Sequence, residues 1–403
     1  MFKPRITVFT KLFWPEGGGA ELATYLTVKN ILSKHFDIVI MTGTKKPKVD
    51  VLRCCRYIYW PILKTKYKPV EWLKIFANTK TIRKLVEQSD IVYIPSHTLL
   101  PLAIIAKIIK PSVKVVIHLH NYQPLTYTSV VLTGKEPNLA TDIFVERGEH
   151  DNLLRTIAAG VGHYLNFINE IALYYADKVL CVSRGQLEIL ARYILVLQSK
   201  AMVIYNPPPP VPSIEKKLCV EPTILYIGGG SFVKGFYVAI KALAKVLLKF
   251  NCRVCMTYGR NVSLKQKQLL KKLASKLGNK LILLGKLPYE ELLKLHESTW
   301  GMLFPSIGEE PLPYAIVEAM ALGTIPVASK VGGVLEIING TPAEKFLFTA
   351  GDVDEFIDKI EQMLSLSKEE VLNIGAKLRD EVKKKLSMKL IEENLLKVFT
   401  KAL

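Results

Sequence analysis

The run Pro207-Pro208-Pro209-Pro210-Val211-Pro212 constrains this chain more than any other stretch. Successive prolines have no amide hydrogen to give to a helix or a central strand, and they hold the backbone stiff and extended. The run is therefore a connector, and the halves it separates read alike. Before it, strands are expected at Ile6 to Thr10, Asp37 to Met41, Ile91 to Ile94 and Lys114 to His118, with a helix over Glu21 to Lys34. After it come a strand at Thr223 to Ile227, a helix at Gly235 to Phe250, a strand at Arg253 to Tyr258, a helix at Leu264 to Leu277 and a strand at Leu281 to Leu284. Short Val- and Ile-rich runs alternating with helices imply parallel sheets covered on both faces, a doubly wound α/β architecture that binds ligands at strand C-termini. A length of 403 residues allows two such cores. The expected division is 1–206, 207–385 and a terminal helix over 386–403.

Charge narrows the partners. The chain carries 55 Lys and Arg against 36 Asp and Glu, a formal +19, which points to something anionic: nucleic acid, a membrane surface or a phosphorylated substrate. The excess is concentrated in Thr44 to Lys84, with twelve basic residues against two acids and with Tyr57, Tyr59, Trp60, Tyr67, Trp72 and Phe76 among them. Rings at headgroup depth beside ammonium groups suit an anionic membrane interface. The same mixture would stack on single-stranded nucleic acid, and an ordinary surface helix over Val70 to Glu87 would put those rings in the core instead. Among these readings the membrane surface leads. No nucleic-acid recognition module is present, so nucleic acid is not expected as a partner.

The most apolar stretch, Leu99 to Ile109, is too short to span a bilayer and contains Lys107. Met1 to Trp14 reads as a strand rather than a signal peptide, so a cytoplasmic protein, peripheral on the inner face of the membrane, is expected. Six cysteines at this length make no disulfide framework, and Cys252 and Cys255 fall on one strand where they would face different ways.

The most chemical segment lies near the C-terminal end. Trp300 to Phe304 reads as a buried strand, and Tyr314 to Leu322 as a helix with Pro313 at its start and Gly323 past its end. Glu310 stands at the mouth of that helix and Glu318, eight positions on, lies within it. Free amides and a partial positive charge at a helix N-terminus suit a phosphate, and carboxylates around it suit sugar hydroxyls. The pattern describes a site for a sugar nucleotide.

Here the chain resembles a family. Glu-x7-Glu followed by Ala319-Met320-Ala321, Gly323 and Pro326-Val327 is similar to the C-terminal signature of retaining GT-B glycosyltransferases, family 4 in particular. Other landmarks follow in order: Gly17-Gly18-Gly19-Ala20-Glu21, Asp177 to Ser183, Val203 to Pro207, Gly228 to Gly235 with Lys234, Leu284-Gly285-Lys286-Leu287, and Val331-Gly332-Gly333 with Glu336. The resemblance runs from about residue 6 to residue 355. It implies two Rossmann-like doubly wound domains facing across a cleft, with the final helix returning to the first domain. The implied activity is metal-independent transfer of a hexose from a nucleoside diphosphate to a glycan or lipid-linked acceptor. No cofactor is implied beyond that nucleotide sugar as co-substrate.

By the same resemblance, Gly18, Gly19 and Lys234 meet the diphosphate, where an amide without a Cβ in the way and a cation are needed. Glu318 accepts both ribose hydroxyls, Leu287 lies beside the base, and Tyr314 assists the donor. Glu310 binds the transferred sugar and steadies charge at its anomeric centre. His120 faces that sugar, so Glu310 and His120 are the catalytic candidates. Glu309 competes with Glu310 but lacks the eight-residue offset; His118, His97 and Asn121 are lesser candidates. Two departures stand out. Gly228-Gly229-Gly230-Ser231 carries no arginine where many relatives have one, leaving Lys286 or Arg260 to supply a second cation. Pro311 and Pro313 also remove amide donors beside Glu310. A sugar-nucleotide epimerase or a glycan phosphorylase is the alternative on the same fold.

Overall fold

A computed structural model describes residues 3–258 and 262–401. The chain forms two compact units. One comprises residues 1–129, 160–209 and 386–403; the other comprises 130–159 and 210–385. Residues 130–159 thus count with the second unit although they precede the proline run.

The first unit is built on seven parallel strands: β1 (Arg5–Thr10), β2 (Asp37–Thr42), β3 (Arg56–Tyr59), β4 (Ile91–Ile94), β5 (Lys114–Leu119), β6 (Lys178–Cys181) and β7 (Ala201–Val203). Their order is β3-β2-β1-β4-β5-β6-β7. Ile6 pairs with Ile38 on one side and Ile91 on the other, and all three are fully buried. A strand buried on both faces must be apolar throughout, which is why these runs were legible.

The second sheet has six parallel strands: β8 (Thr223–Tyr226), β9 (Arg253–Thr257), β10 (Leu281–Leu284), β11 (Thr299–Phe304), β12 (Ile325–Ser329) and β13 (Leu347–Phe348). Their order, β10-β9-β8-β11-β12-β13, repeats that of the first sheet. In each sheet the order reverses beside the first strand, between β1 and β4 and between β8 and β11. At such a point neighbouring connections depart to opposite faces and leave a crevice at the strand C-termini.

The final helix, Met388–Lys401, belongs to the first unit. There the Phe399 ring lies 5.4 Å from that of Tyr93 and 6.0 Å from that of Phe36.

The basic aromatic segment is divided between two of its expected fates. Its helix is two helices, Lys68–Ala77 and Thr79–Glu87, because Asn78 leaves helical geometry and its side-chain amide donates to the Lys74 carbonyl at 2.8 Å. Trp72 is buried, its Nε1–H donating to the Thr98 carbonyl at 2.7 Å. Tyr59, Tyr67, Leu73 and Phe76 are exposed. Among the described residues no helix is long and apolar enough to cross a membrane.

Candidate functional site

The second unit places Lys234 after β8 and Glu310, Tyr314 and Glu318 after β11, the two strands at the reversal point. β8 ends at Tyr226, and the glycine-rich loop follows it to Gly235, where the helix Phe236–Lys249 begins. Gly235 has φ +75°, and a Cβ there would lie 1.7 Å from the Pro305 carbonyl oxygen, so only glycine lets the loop press against the end of β11. The Ile307 amide donates to the Val233 carbonyl at 2.9 Å, and Ser306 Oγ–H donates to it at 3.0 Å. These bonds fix Lys234 over the residues that follow β11.

Lys234 Nζ lies 2.5 Å from Glu310 Oε1, and Ser306 Oγ, whose one hydrogen is shared among the acceptors around it, lies 2.9 Å from the same oxygen. Glu310 is only 8% exposed, so a charge-assisted pair is what makes its burial tolerable. The Lys234 ammonium also stands 5.7 Å above the centre of the Phe304 ring. Lys234 and Glu310, 76 positions apart in the chain, therefore form one ionic unit.

Glu309 and Glu310 are separated by geometry as well as by spacing. Glu309 Oε2 accepts the Gly332 amide at 2.6 Å, and its own amide donates to the Val131 carbonyl at 2.8 Å. Burial raises the Glu309 carboxyl above its ordinary value. The Glu310 carbonyl accepts the Gly333 amide at 2.8 Å. Gly332 has φ +39°, and a Cβ there would come within 2.4 Å of that carbonyl, which explains the first glycine of Val331-Gly332-Gly333.

Glu318 lies in the helix Tyr314–Ala321, for which Pro313 is the N-cap residue. It is 5% exposed, and Tyr289 Oη–H donates to its Oε1 at 2.7 Å. Burial pushes the Glu318 carboxyl up to about 7, with the Tyr289 hydrogen bond opposing the rise. Such a carboxyl stands ready to ionise once a better set of donors arrives. Tyr314 is buried at the first helical position, its hydroxyl pushed well up by burial and by nearby Glu318. Leu287 is half-buried in the loop after β10, and Lys286 is exposed beside it. Tyr289, two positions beyond Leu287, is a site residue that sequence reasoning missed.

Of the two residues expected to supply a second cation, only Lys286 falls among the described residues, and it is exposed in the loop after β10. Arg260 lies outside the described residues, and Gln266 Nε2–H donates to the Gly230 carbonyl at 2.6 Å. Ser231 meets an anion instead: its Oγ–H donates to Glu149 Oε1 at 2.6 Å. The chain's Asp-x-Asp spacing, Asp352-Val353-Asp354, serves a helix start, with Asp352 Oδ1 accepting the amides of Asp354 and Glu355 at 3.1 and 2.9 Å.

The first unit holds the remaining candidates. Gly18 is the N-cap residue of the helix Gly19–Thr27, and its amide donates to Glu21 Oε2 at 2.7 Å. Gly19 therefore opens the helix two residues before the expected start at Glu21. His120 follows the end of β5, its ring centre 4.4 Å from that of His118 and tilted 36° to it. Tyr93 Oη and His118 Nδ1 share a hydrogen bond of 2.7 Å, which fixes the His118 ring against which His120 lies. Both ring nitrogens of His120 are buried and meet no partner among the described residues. Burial lowers His120 to about 4 and His97 to about 3, with Lys68 and Lys11 adding to the effect at His97. These imidazoles are neutral near pH 7, able to donate or accept one hydrogen bond but not to supply a cation. Asn121 is spent locally, its Oδ1 accepting the Gln123 amide at 3.0 Å and its carbonyl accepting Gln186 Nε2–H at 3.0 Å.

Comparison with known proteins accords with this geometry. Residues 214–382 match the family described as Glycosyl transferases group 1, and residues 17–208 match Glycosyltransferase Family 4. Over 184 residues, 42% of this chain, the sequence is 29% identical to an uncharacterized glycosyltransferase of Methanocaldococcus jannaschii. The match spans 46% of that protein's length. Among solved structures, sucrose-phosphate synthase from Thermosynechococcus elongatus is similar at TM-score 0.71, with 16% identity over 99% of both chains. Anabaena HepE in complex with UDP-glucose is similar at TM-score 0.69, with 16% identity over 98% of this chain and 99% of that one. At such identities these two likenesses speak for the fold alone.

Proposed function

We propose that this chain, which belongs to the GT-B glycosyltransferases of family 4, moves a hexose from a nucleoside diphosphate to an acceptor with retention of anomeric configuration. The observation that carries the reading is the Lys234–Glu310 pair at 2.5 Å, beside a glycine-rich loop and one helix away from a buried Glu318. A departing diphosphate gains negative charge, and a positioned ammonium stabilises that gain. On donor binding Lys234 turns toward the diphosphate, which leaves the Glu310 carboxylate to meet sugar hydroxyls and the positive charge growing at the anomeric carbon.

Glu318, ionised in the complex, accepts the two ribose hydroxyls, with Tyr289 holding its Oε1. Leu287 lies against the base, and the amides of Gly18 and Gly19 turn toward the diphosphate. His120, neutral, hydrogen-bonds a hydroxyl of the transferred sugar. Lys234 and the helix N-termini supply the positive charge, so no metal is required. HepE, bound to UDP-glucose, supports a nucleotide sugar as the donor class.

The acceptor is a glycan or a lipid-linked molecule met at an anionic membrane surface on its cytoplasmic side. Exposed Tyr67, Leu73 and Phe76 beside Lys66, Lys74 and Lys80 support this part. Sedimentation with phosphatidylserine-containing vesicles tests it: retention at low salt that fades as salt rises is expected, and no retention at any salt refutes it.

Turnover of a sugar-nucleotide panel with sugar acceptors tests the reaction, with the product's anomeric configuration read by proton NMR. A product that keeps the donor's configuration is expected. Inversion refutes retention, and conversion of the donor sugar without acceptor selects an epimerase.

A further inference from the structure

The segment that precedes the proline run yet belongs to the second unit docks on both donor landmarks. At one end the Thr133 amide donates to the Ile307 carbonyl at 3.0 Å, and the Glu309 amide donates to the Val131 carbonyl at 2.8 Å. An antiparallel bridge between Leu132 and Gly308 lies between these bonds. At the other end the helix Leu139–His150 packs on the glycine-rich loop, the Phe144 ring 5.3 Å from that of Phe232. Gly148 lets the helix come that close, since a Cβ there would lie 2.5 Å from the Phe232 ring.

This docking delivers one carboxylate to the loop. Glu149 Oε1 accepts Ser231 Oγ–H at 2.6 Å and the Val233 amide at 2.9 Å. Both are donors of the kind a phosphate oxygen seeks: a hydroxyl and a main-chain N–H in a glycine-rich turn after a strand. The buried Tyr226 hydroxyl lies in the same neighbourhood and has no hydrogen-bond partner among the described residues. Lys234, three positions along from Ser231, is likewise matched by a protein carboxylate, that of Glu310. The loop's donors and its cation are thus each satisfied by an acid of the chain itself.

We propose that Glu149 is a built-in competitor of the donor: its carboxylate holds the Ser231 and Val233 donors, and a nucleoside diphosphate must displace it to use them. This rests on the reading of the loop as the seat of the diphosphate. A diphosphate, carrying more than one charge and several acceptor oxygens, can make that exchange against a single carboxylate. A nucleoside without phosphate has no stake in it. Competition sets a threshold on donor affinity, and any event that lifts the helix Leu139–His150 off Phe232 would lower that threshold.

The test is isothermal titration of the full chain with a nucleoside diphosphate and with the matching free nucleoside, for wild type, Glu149→Ala and Glu149→Gln. Loss of one charge-assisted contact corresponds to about a tenfold change in affinity. The diphosphate should bind Glu149→Ala about tenfold more tightly than wild type, with Glu149→Gln between the two and the nucleoside unchanged. Thermal melts confirm that each variant is folded. Unchanged or weaker diphosphate binding in both variants overturns the proposal and makes Glu149 a brace for the loop. If wild type and both variants all fail to bind any nucleoside diphosphate, the donor reading itself falls and this inference falls with it.

Discussion

The two sheets share one strand order, yet the residues placed beyond their strand ends differ in kind. In the second unit, the β8/β11 reversal point holds ions: Lys234 bonded to Glu310, with Glu149 on the loop and Glu318 in the next helix. In the first unit, the residues after β4 and β5 are histidines that burial keeps neutral. The fold supplies a crevice in each case, and side-chain chemistry decides its use. Paired charges suit a diphosphate and two sets of sugar hydroxyls. Neutral imidazoles suit a single hydroxyl without repelling a cationic centre nearby.

Substitutions should separate the two units by size of effect. Lys234→Ala removes the cation proposed for the diphosphate and leaves the Glu310 carboxylate buried without its ionic partner. A loss of about a thousandfold in kcat/KM is expected, measured by steady-state transfer. A loss below tenfold would mean that charge at this loop is incidental. Glu310→Gln should lower kcat by about a hundredfold with a smaller change in donor KM, because its role grows toward the transition state. His120→Ala should cost about tenfold in kcat, the value of one hydrogen bond between neutral groups. It should leave the pH profile unshifted above pH 5.5, since burial lowers His120 to about 4. A shift in that range would show that the residues of the two units are not so different after all.

Glu318 offers the smallest effect and the most diagnostic sign. Its folded-state value of about 7 lies above the ordinary 4.5, so folding favours the protonated form. The associated stability is full below about pH 4.5 and is lost as pH rises through about 7. Glu318→Gln, neutral at every pH, should therefore match wild type near pH 4.5 and melt about 2 °C higher at pH 8. Donor affinity of wild type should move the other way, rising as pH passes 7 and the carboxylate ionises. A Glu318→Gln variant that is destabilised at pH 8 would show that the tyrosine hydrogen bond outweighs burial.

Much of this was legible in the sequence, and particular residues show why. Buried parallel strands such as Ile91–Ile94 have no polar face, so they read as unbroken Val and Ile runs. The eight-residue spacing of Glu310 and Glu318 survives because both sit on one short loop and helix. Contacts made across long sequence separations left no trace. Glu149 meets Ser231 over 82 positions and Tyr289 meets Glu318 over 29, and neither side chain carries a local pattern. The break at Asn78 was hidden for a different reason, because the apolar spacing continues through it while the side chain competes for helical bonds.

The measurement that bears most directly on the central claim is titration calorimetry of one nucleoside diphosphate sugar into wild type, Lys234→Ala and Glu318→Ala. The account predicts binding to wild type, a loss of about a hundredfold or more for Lys234→Ala and about tenfold for Glu318→Ala, all three chains being folded. Equal affinity across the three would contradict it, because the donor would then be held by something other than the ions of the second sheet.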